Sequence, residues 1–410
     1  MIVFYLLVTV LPMVRHPLWS DFVGELTLIK YLGALCLLYA LFYLMVRPQP
    51  PRLLESWQAR WFVCLAILGM ISYLTMGPLM PFEMSPFMNF VSFLMFLFIT
   101  VTLVDSLPRL RWTLLTAVAS IAYASLHTLR EWQKYGGMAS GHRPGWITGD
   151  PNYFSVSVVL SLPLVYYLMR PGQPRWERWF CAVSLALTLF AVTLAASRGA
   201  LLAIVVSMFL VAWHSRRRVR ALVVGAALLL PLLALSPTTP LERLLAPTRS
   251  DLEATDNRTR IWEAGLVMFQ HYPWTGIGVG NFKPLVGLYG QIAEPTVAHN
   301  TYLEVAAELG LPGITLFAAI FYCAFGSLVR VRRLAPDRDH LLHRASLGIE
   351  GGLVAYLVAI FFISAEYQKF FWLLVFLSIP LEALARADRA RATEAAPGRP
   401  LERVVPAWAR

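Results

Sequence analysis

Residues 86–104 read PFMNFVSFLMFLFITVTLV and carry no charged side chain. A run of roughly 17–25 apolar residues can cross the hydrocarbon core of a bilayer as a helix. Similar runs recur along the whole chain, which is 58% hydrophobic and 14% charged, whereas soluble proteins carry about 25% charged residues. The runs are continuous rather than alternating, which favours helices over a closed barrel. The sequence therefore predicts an all-α integral membrane protein.

About twelve transmembrane helices are predicted along 1–410, which contains no evident internal repeat and no separate soluble domain, so we interpret it as one polytopic domain. The predicted spans lie near 1–14, 26–46, 61–77, 86–105, 112–128, 153–169, 178–195, 199–213, 221–235, 302–329, 346–364 and 370–385. The first of them is the shortest.

The basic residues predict how the chain is oriented, since cytoplasmic loops carry an excess of Lys and Arg. With the N-terminus in the cytoplasm, 23 of the 35 Lys and Arg residues fall in predicted cytoplasmic segments, including the clusters at 216–220 and 330–333. Both termini, with the tail 386–410, are therefore predicted to be cytoplasmic. The same asymmetry explains the net charge of +11 without a nucleic-acid partner.

The longest predicted periplasmic segment is the loop 236–301. Loops of this length are usually functional or disordered, and its many aromatic residues favour a folded loop over the membrane surface. Thr255-Asp256-Asn257 supplies N-cap residue types for a helix predicted over about 258–270, which Pro273 limits. The apolar residues of this helix form one stripe typical of an interfacial or capping helix: Ile261, Trp262, Leu266 and Phe269.

Arg198 stands in Ser197-Arg198-Gly199-Ala200, a tight turn between two apolar spans. An arginine so close to hydrocarbon is costly and is usually partnered and functional. It also begins a predicted helix, whose N-terminus attracts anions. Because the turn lies on the predicted outer side, where an orienting charge is not expected, a phosphate site is favoured over a snorkelling arginine.

Arg258 and Arg260 cannot face the same way on a regular helix, because two residues turn it by about 200°. Arg258 shares a face with Trp262, four residues on, whereas Arg260 has Glu263 three residues on as a surface ion-pair partner. We therefore expect Arg258 to face the site and Arg260 to be mainly structural.

His299 precedes a predicted span on the same outer side as the arginines. A neutral imidazole can accept a proton from a hydroxyl nucleophile, and a nearby helix N-terminus keeps it neutral. Asn300, Glu304 and Glu308 are its predicted supporting residues. Glu304 suits the helix start, and Glu308, lying deeper, is expected to pair with an arginine or with the imidazole.

The stretch Gly276-Ile277-Gly278-Val279-Gly280 follows no βαβ unit, so a tight loop is expected rather than a dinucleotide site. The four cysteines lie in apolar runs. Asp337-Arg338-Asp339 resembles a metal-binding acidic pair, but it lies in an arginine-rich loop on the predicted cytoplasmic side and is attributed to chance, and no other His, Cys, Asp or Glu set suggests a metal. We therefore expect neither a metal nor another cofactor.

Several of these stretches resemble the O-antigen ligase and polymerase superfamily of bacterial lipid-linked-glycan transferases. NRTRIW at 257–262 and HYPWTGIGVGNF at 271–282 are similar to its large periplasmic loop, which has an Arg four residues before a Trp, then a Pro, then a GxGxGNF stretch. AHNTYLE at 298–304, with ELGLPG at 308–313, resembles its His-Asn motif and the helix that follows. SRGA at 197–200 and GDPN at 149–152 are similar as well.

The resemblance covers about 145–325 by motif and the whole chain by topology. It implies a GT-C-like membrane fold and a metal-independent, inverting glycosyltransferase in the bacterial inner membrane. The implied donor is an undecaprenyl-diphosphate-linked glycan, and the acceptor is lipid A-core or another surface glycan or protein. His299 would be the catalytic base, and Arg198 and Arg258 would bind the diphosphate. Arg260 is kept as a third candidate, although the family does not require an arginine there.

Three alternatives share these features. A polymerase of O-antigen or exopolysaccharide would use the same donor with a carrier-linked acceptor, and a protein O-oligosaccharyltransferase would use a protein hydroxyl. A flippase is disfavoured because transporters place ionisable residues near the bilayer midplane and show inverted repeats. Glu350 is the main intramembrane exception among the polar residues, which otherwise gather at the outer end.

Overall fold

A computed structural model describes residues 1–13, 28–46, 53–80, 85–136, 142–169, 172–215, 218–235, 249–290 and 292–394. Within these ranges the regular structure is helical. The helices are α1 (Ile2–Val10), α2 (Leu28–Val46), α3 (Trp57–Met76), α4 (Pro86–Leu103), α5 (Leu107–Lys134), α6 (Pro151–Leu168), α7 (Arg175–Leu194), α8 (Arg198–His214), α9 (Arg218–Leu235), α10 (Arg249–His271), α11 (Phe282–Gly290), α12 (Thr301–Leu334), α13 (Leu341–Ala359) and α14 (Lys369–Glu394), with short 3₁₀ turns at Leu53–Glu55 and Trp146–Thr148.

Each of the twelve predicted spans contains a helix. Among the described residues, eight helices are long and apolar enough to cross a membrane, namely α2 to α7, α12 and α14. The chain is therefore a multi-pass membrane protein. The other four helices in predicted spans, α1, α8, α9 and α13, are not among these eight, so the number of twelve crossings stays a prediction.

The bundle closes around α13, which packs against α6, α8, α12 and α14. Small residues allow this contact: a Cβ on Gly352 would lie 2.1 Å from the carbonyl oxygen of Leu160, and one on Gly351 would lie 2.8 Å from Pro163. Close backbone approach of this kind is how membrane helices gain packing energy without a hydrophobic driving force.

The two ends of the bundle differ in the residues that they contain. At one end, Arg332 bonds Glu350 and Arg330 bonds Glu382, and Arg344 of α13 donates to the carbonyl of Tyr167 near the end of α6. The other end collects the starts of α6, α8 and α12, and we call it the site end. Glu350, the intramembrane acid of the transporter alternative, is thus an ion-pair partner far from the site end.

The chain after α9 folds over the site end. Of the predicted loop 236–301, residues 236–248 and 291 lie outside the described residues, as do 395–410 of the predicted tail. A second small core joins α10 to α11 and to the first turns of α12; its buried residues are Ile261, Ala264, Met268, Ile277, Phe282, Val286, Ala298 and Ala307. The loop therefore caps the bundle, one of the two arrangements expected for its helix.

Two details of the predicted loop helix are wrong. The helix begins at Arg249 rather than near Arg258, so Thr255-Asp256-Asn257 lies inside it. Residues 249–257 contain no proline or glycine, so no helix breaker separates them from the predicted helix. The buried stripe also differs: Leu266 is 51% exposed, because the contact face runs through Ile261, Ala264 and Met268.

Candidate functional site

His299 sits in a strained turn at the start of α12. Its backbone has φ +49°, one of two positive values at non-glycine positions among the described residues. Such a conformation is uncommon, although histidine adopts it more readily than most residues do, and it persists where the surroundings hold it. Asn300 is the N-cap of α12 and accepts a hydrogen bond from the Leu303 amide at 3.1 Å. The predicted helix start is therefore confirmed.

Side chains from two directions hold this turn. The Trp262 indole of α10 donates to the carbonyl of Ala298 at 3.0 Å. From below, Glu304 is buried and accepts a hydrogen bond from the Ala298 amide at 3.3 Å. The same carboxylate oxygen accepts from the hydroxyl of Ser364. Glu304 therefore does more than favour the helix start, since it ties the histidine turn to a distant part of the chain.

That distant part is the connection between α13 and α14, residues 360–368, which we call the platform segment. The Thr301 amide donates to the carbonyl of Ile360 at 3.0 Å, and the Thr301 hydroxyl donates to that of Ile363 at 2.8 Å. The ring of Phe361 meets that of Trp262 edge to face, with 5.5 Å between centroids. The platform segment therefore fixes α10 and α12 to each other. The sequence analysis missed it, because residues 360–364 are apolar and were included in the predicted span 346–364, whereas α13 ends at Ala359.

Arg258 lies close enough to His299 in the structure to affect its pKa. Burial lowers the pKa of His299 from its ordinary value, Arg258 lowers it further, and Asp150 opposes both. Burial disfavours the imidazolium form, and a nearby cation does the same. The imidazole is consequently neutral at physiological pH and can accept a proton. Asp150 comes from the N-cap of α6, so three separate parts of the chain meet at this histidine.

Arg260 lies on another face of α10. It pairs with Asp256, one helical turn back, at 2.9 Å, and both side chains are more than 60% exposed. The expected pairing with Glu263 is therefore wrong, but Arg260 does form a surface ion pair, with Asp256 as its partner. The i,i−4 pair is available because α10 starts before Asp256. Arg258, by contrast, is half-buried, which agrees with the opposed directions expected for the two arginines.

Arg198 is the first residue of α8 and lies at the site end, as predicted. A Cβ on the adjacent Gly199 would lie 3.1 Å from the ring of Phe362 in the platform segment. The arginine turn and the histidine turn therefore rest on the same nine-residue support. The residue before the N-cap, Ala196, also has a positive φ of +49°, so both turns are locally strained.

Arg143 is a further cation at the site end, which the sequence analysis did not single out. Its guanidinium donates to the carbonyl of Ala195 at 3.0 Å and to the side-chain oxygen of Asn152 at 3.1 Å. It thereby joins the turn before Arg198 to the start of α6, where Asp150 lies. Arg143 lies six residues before the GDPN stretch at 149–152, but only the fold brings it to the turn before Arg198.

The glycine-rich stretch is a structural loop, as expected. The Ile277 amide donates to the carbonyl of Ala307, and the Gly278 amide donates to that of Glu308. A Cβ on Gly276 would lie 2.2 Å from the Glu308 carbonyl oxygen, so only glycine allows this approach. The α12 backbone breaks here, at Gly310, whose φ is +65°.

Glu308 has a different partner from the expected one. Its carboxylate accepts a hydrogen bond from the Phe282 amide at 3.1 Å, not one from an arginine or the imidazole. The reason is that the glycine loop brings the N-terminus of α11 onto α12, and the free amides of a helix N-terminus are ready donors to a carboxylate.

Glu304, Glu308 and Glu366 line one small cavity of about 30 Å³, room for about one water molecule. Burial, with Glu304 as a further cause, raises the pKa of Glu366 well above its ordinary value. No group of three His, Cys, Asp or Glu residues within the described ranges is arranged as a metal site.

A comparison with known protein families matches the part of the chain that contains most of these residues. Residues 183–318 match the family model described as O-antigen ligase. The matched segment contains Arg198, Arg258, Arg260 and His299, and it ends within α12. No curated protein gives a significant match to the chain.

Proposed function

The chain is a member of the O-antigen ligase/polymerase superfamily through residues 183–318, and from this premise we propose a specific transfer reaction. The protein moves a glycan from undecaprenyl diphosphate to an acceptor hydroxyl at the periplasmic face of the bacterial inner membrane. The preferred acceptor class is lipid A-core or another surface glycan. The observation that carries this proposal is the meeting of a neutral, half-buried imidazole with a cation, seen in the effect of Arg258 on His299.

The proposed chemistry is a single displacement. An imidazole nitrogen of His299 takes the proton of the acceptor hydroxyl, and the hydroxyl oxygen forms a bond to the anomeric carbon of the donor sugar. The bond between that carbon and the diphosphate oxygen breaks on the opposite face, so the anomeric configuration inverts. The carrier diphosphate leaves with the bonding electron pair.

Arg198 and Arg258 stabilise the charge that develops on the departing diphosphate. Guanidinium groups match phosphate oxygens with paired, charge-assisted hydrogen bonds. Arg198 adds the N-terminus of α8, whose free amides favour an anion. Asn300 and Glu304 position His299 rather than react, since both bond the backbone around it. We propose no role for Arg260 beyond its exposed ion pair.

The test is glycan transfer by the purified protein from a labelled undecaprenyl-diphosphate donor, with lipid A-core and a second donor molecule offered as acceptors. Transfer to lipid A-core that falls by about 10²- to 10⁴-fold in His299→Ala is expected, the usual contribution of a general base. His271→Ala is the matched control, because His271 is exposed at the end of α10 and its loss should leave the rate unchanged.

Each other outcome contradicts part of the proposal. Growth of the carrier-linked chain instead of transfer to lipid A-core would make the protein a polymerase. Undiminished turnover in His299→Ala would remove the base assignment. Transfer to neither acceptor would contradict the proposed glycosyltransferase activity toward these acceptors. Translocation of the labelled donor would then identify a flippase.

A further inference from the structure

A deep cleft opens between α6, α7, α8 and α9, away from the histidine. Its volume is about 450 Å³, within the range of about 300–1,000 Å³ typical of ligand pockets. The walls are mainly aliphatic. They include Leu162 of α6, Leu189 of α7, and Ile204 and Met208 of α8. No residue of this cleft belongs to the site described above.

The surroundings of the cleft determine what can fill it. Helices α6 and α7 are both candidate membrane spans, so the cleft faces the hydrocarbon region of a bilayer. Water gains little from an aliphatic cavity, since it needs about two to four polar partners. A hydrocarbon chain, in contrast, buries apolar surface against these walls and restores the packing contacts that an open groove lacks. The shape and lining therefore fit a lipid chain.

Arg220 is the only charged residue among the described residues that line the cleft. It lies in the first turn of α9, next to Ser215, which follows α8 and also lines the cleft. Basic pockets between membrane helices bind anionic lipid head groups. Arg218, two residues earlier in the first turn of α9, is exposed and adds positive charge at this end of the cleft. The head group of a lipid in the cleft would therefore carry negative charge.

The lipid in this cleft cannot be the glycan donor of the proposed reaction. Arg198 starts α8 and Ser215 follows its end, and 17 helical residues separate the two by about 25 Å at 1.5 Å per residue. A head group on Arg220 thus lies at the end of the bundle opposite to His299. The occupant belongs to the other leaflet.

We propose that the cleft is a binding site for an anionic phospholipid, with one acyl chain between α6, α7, α8 and α9 and the phosphate on Arg220. A lipid held there braces α8 against α6. Because α8 carries Arg198 at its other end, the lipid also stabilises the position of that arginine.

Native mass spectrometry of the purified full-length protein tests the site. Phosphatidylglycerol and phosphatidylcholine with identical palmitoyl and oleoyl chains are titrated in turn. We expect one phosphatidylglycerol to bind with about five- to tenfold preference, and Arg220→Gln to abolish that preference, as about one charge contact at the membrane surface would give. Ala221→Phe, which adds a ring to the wall of the cleft, is expected to weaken binding of both lipids.

Arg218→Gln is the matched control. Arg218 belongs to the same basic cluster, but its guanidinium lies over the ring of Trp213 at 4.9 Å and does not line the cleft. This variant should keep the preference for phosphatidylglycerol. Equal binding of the two lipids by the unmodified protein, or the same loss in Arg218→Gln as in Arg220→Gln, would overturn the proposal. Thermal unfolding of each variant shows whether a loss of binding reflects a loss of fold.

Discussion

The indole nitrogen of Trp262 donates to the carbonyl oxygen of Ala298 at 3.0 Å, and this bond connects the capping helix α10 to the turn that carries His299. Ala298 is fully buried, so water cannot replace the donor. The orientation of the imidazole therefore depends on a residue 37 positions away in sequence, and the same helix carries Arg258.

Trp262→Phe is expected to lower turnover about ten- to hundredfold, because it keeps the aromatic contact with Phe361 but frees the histidine turn. The buried carbonyl of Ala298 loses its donor, which costs about 1–3 kcal/mol of stability. Turnover and thermal unfolding are measured together. Trp274→Phe is the control, since Trp274 is 69% exposed, and equal effects in the two variants would contradict the assignment.

The acidic limb of the kcat/KM profile should report His299, because the free enzyme's base must be neutral to act. Activity rises as pH increases through the pKa of His299 and then levels off. That pKa is lowered by burial and by Arg258 and raised by Asp150. Arg258→Gln therefore moves the limb to higher pH, and Asp150→Asn moves it to lower pH.

The position of the limb, rather than the height of the plateau, is the quantity compared in that pH experiment. Arg258 is also proposed to bind the donor, so its variant loses rate as well. Movement of the limb in the same direction for both variants, or in neither, would show that His299 is not the group that titrates.

Arg198→Ala and Arg258→Ala should each lower turnover about 10²- to 10³-fold, as loss of a group that stabilises transition-state charge does. Arg260→Ala should leave turnover near that of the unmodified protein, because an exposed ion pair contributes about 0–1 kcal/mol. Steady-state rates at saturating donor measure the difference. A rate loss in Arg260→Ala comparable with that in Arg258→Ala would reverse the assignment of the two faces of α10.

Gly310→Ala should lower the free energy of unfolding by more than the roughly 1–2 kcal/mol that a left-handed conformation costs an alanine. Its φ is +65°, and the added Cβ would lie 2.7 Å from the carbonyl oxygen of Pro273. Gly33→Ala is the control, since a Cβ there meets nothing within 4 Å, and it should be neutral or stabilising. Thermal unfolding in detergent distinguishes them, and equal melting temperatures would argue against the kink.

Much of the fold follows from local sequence. Apolar runs are recognised without tertiary information, so each predicted span contains a helix, although α13 ends at Ala359 rather than near 364. The helix starts at Arg198 and Thr301 were equally local, because a turn between two apolar runs and the beginning of an apolar run are visible in the chain. Helix α10 was predicted too short because its N-cap signal, 255–257, has residue types that a helix interior also tolerates.

The hydrogen-bond partners of buried polar groups could not be predicted from local sequence. Glu308 bonds the Phe282 amide, and Glu304 bonds Ser364 across 60 residues of chain. These contacts depend on how the glycine loop and the platform segment fold back, which is a property of packing and not of spacing. Arg143 was missed for the same reason, since its hydrogen bond to Ala195, 52 residues on, depends on packing.

The break at Gly310 separates α12 into two pieces with different attachments. Residues 301–309, which contain Glu304 and Glu308, are bonded to the glycine loop and the platform segment, whereas the longer piece packs among α3, α13 and α14. The proposed reactive region is thus joined to the membrane helices at several points besides this break, since the Tyr302 hydroxyl donates to the carbonyl of Leu357 in α13 and the Val279 amide donates to Ser72 in α3. A substitution that adapts this region to a new acceptor therefore has to preserve these connections, so changes of acceptor choice should concentrate in side chains that make none of them.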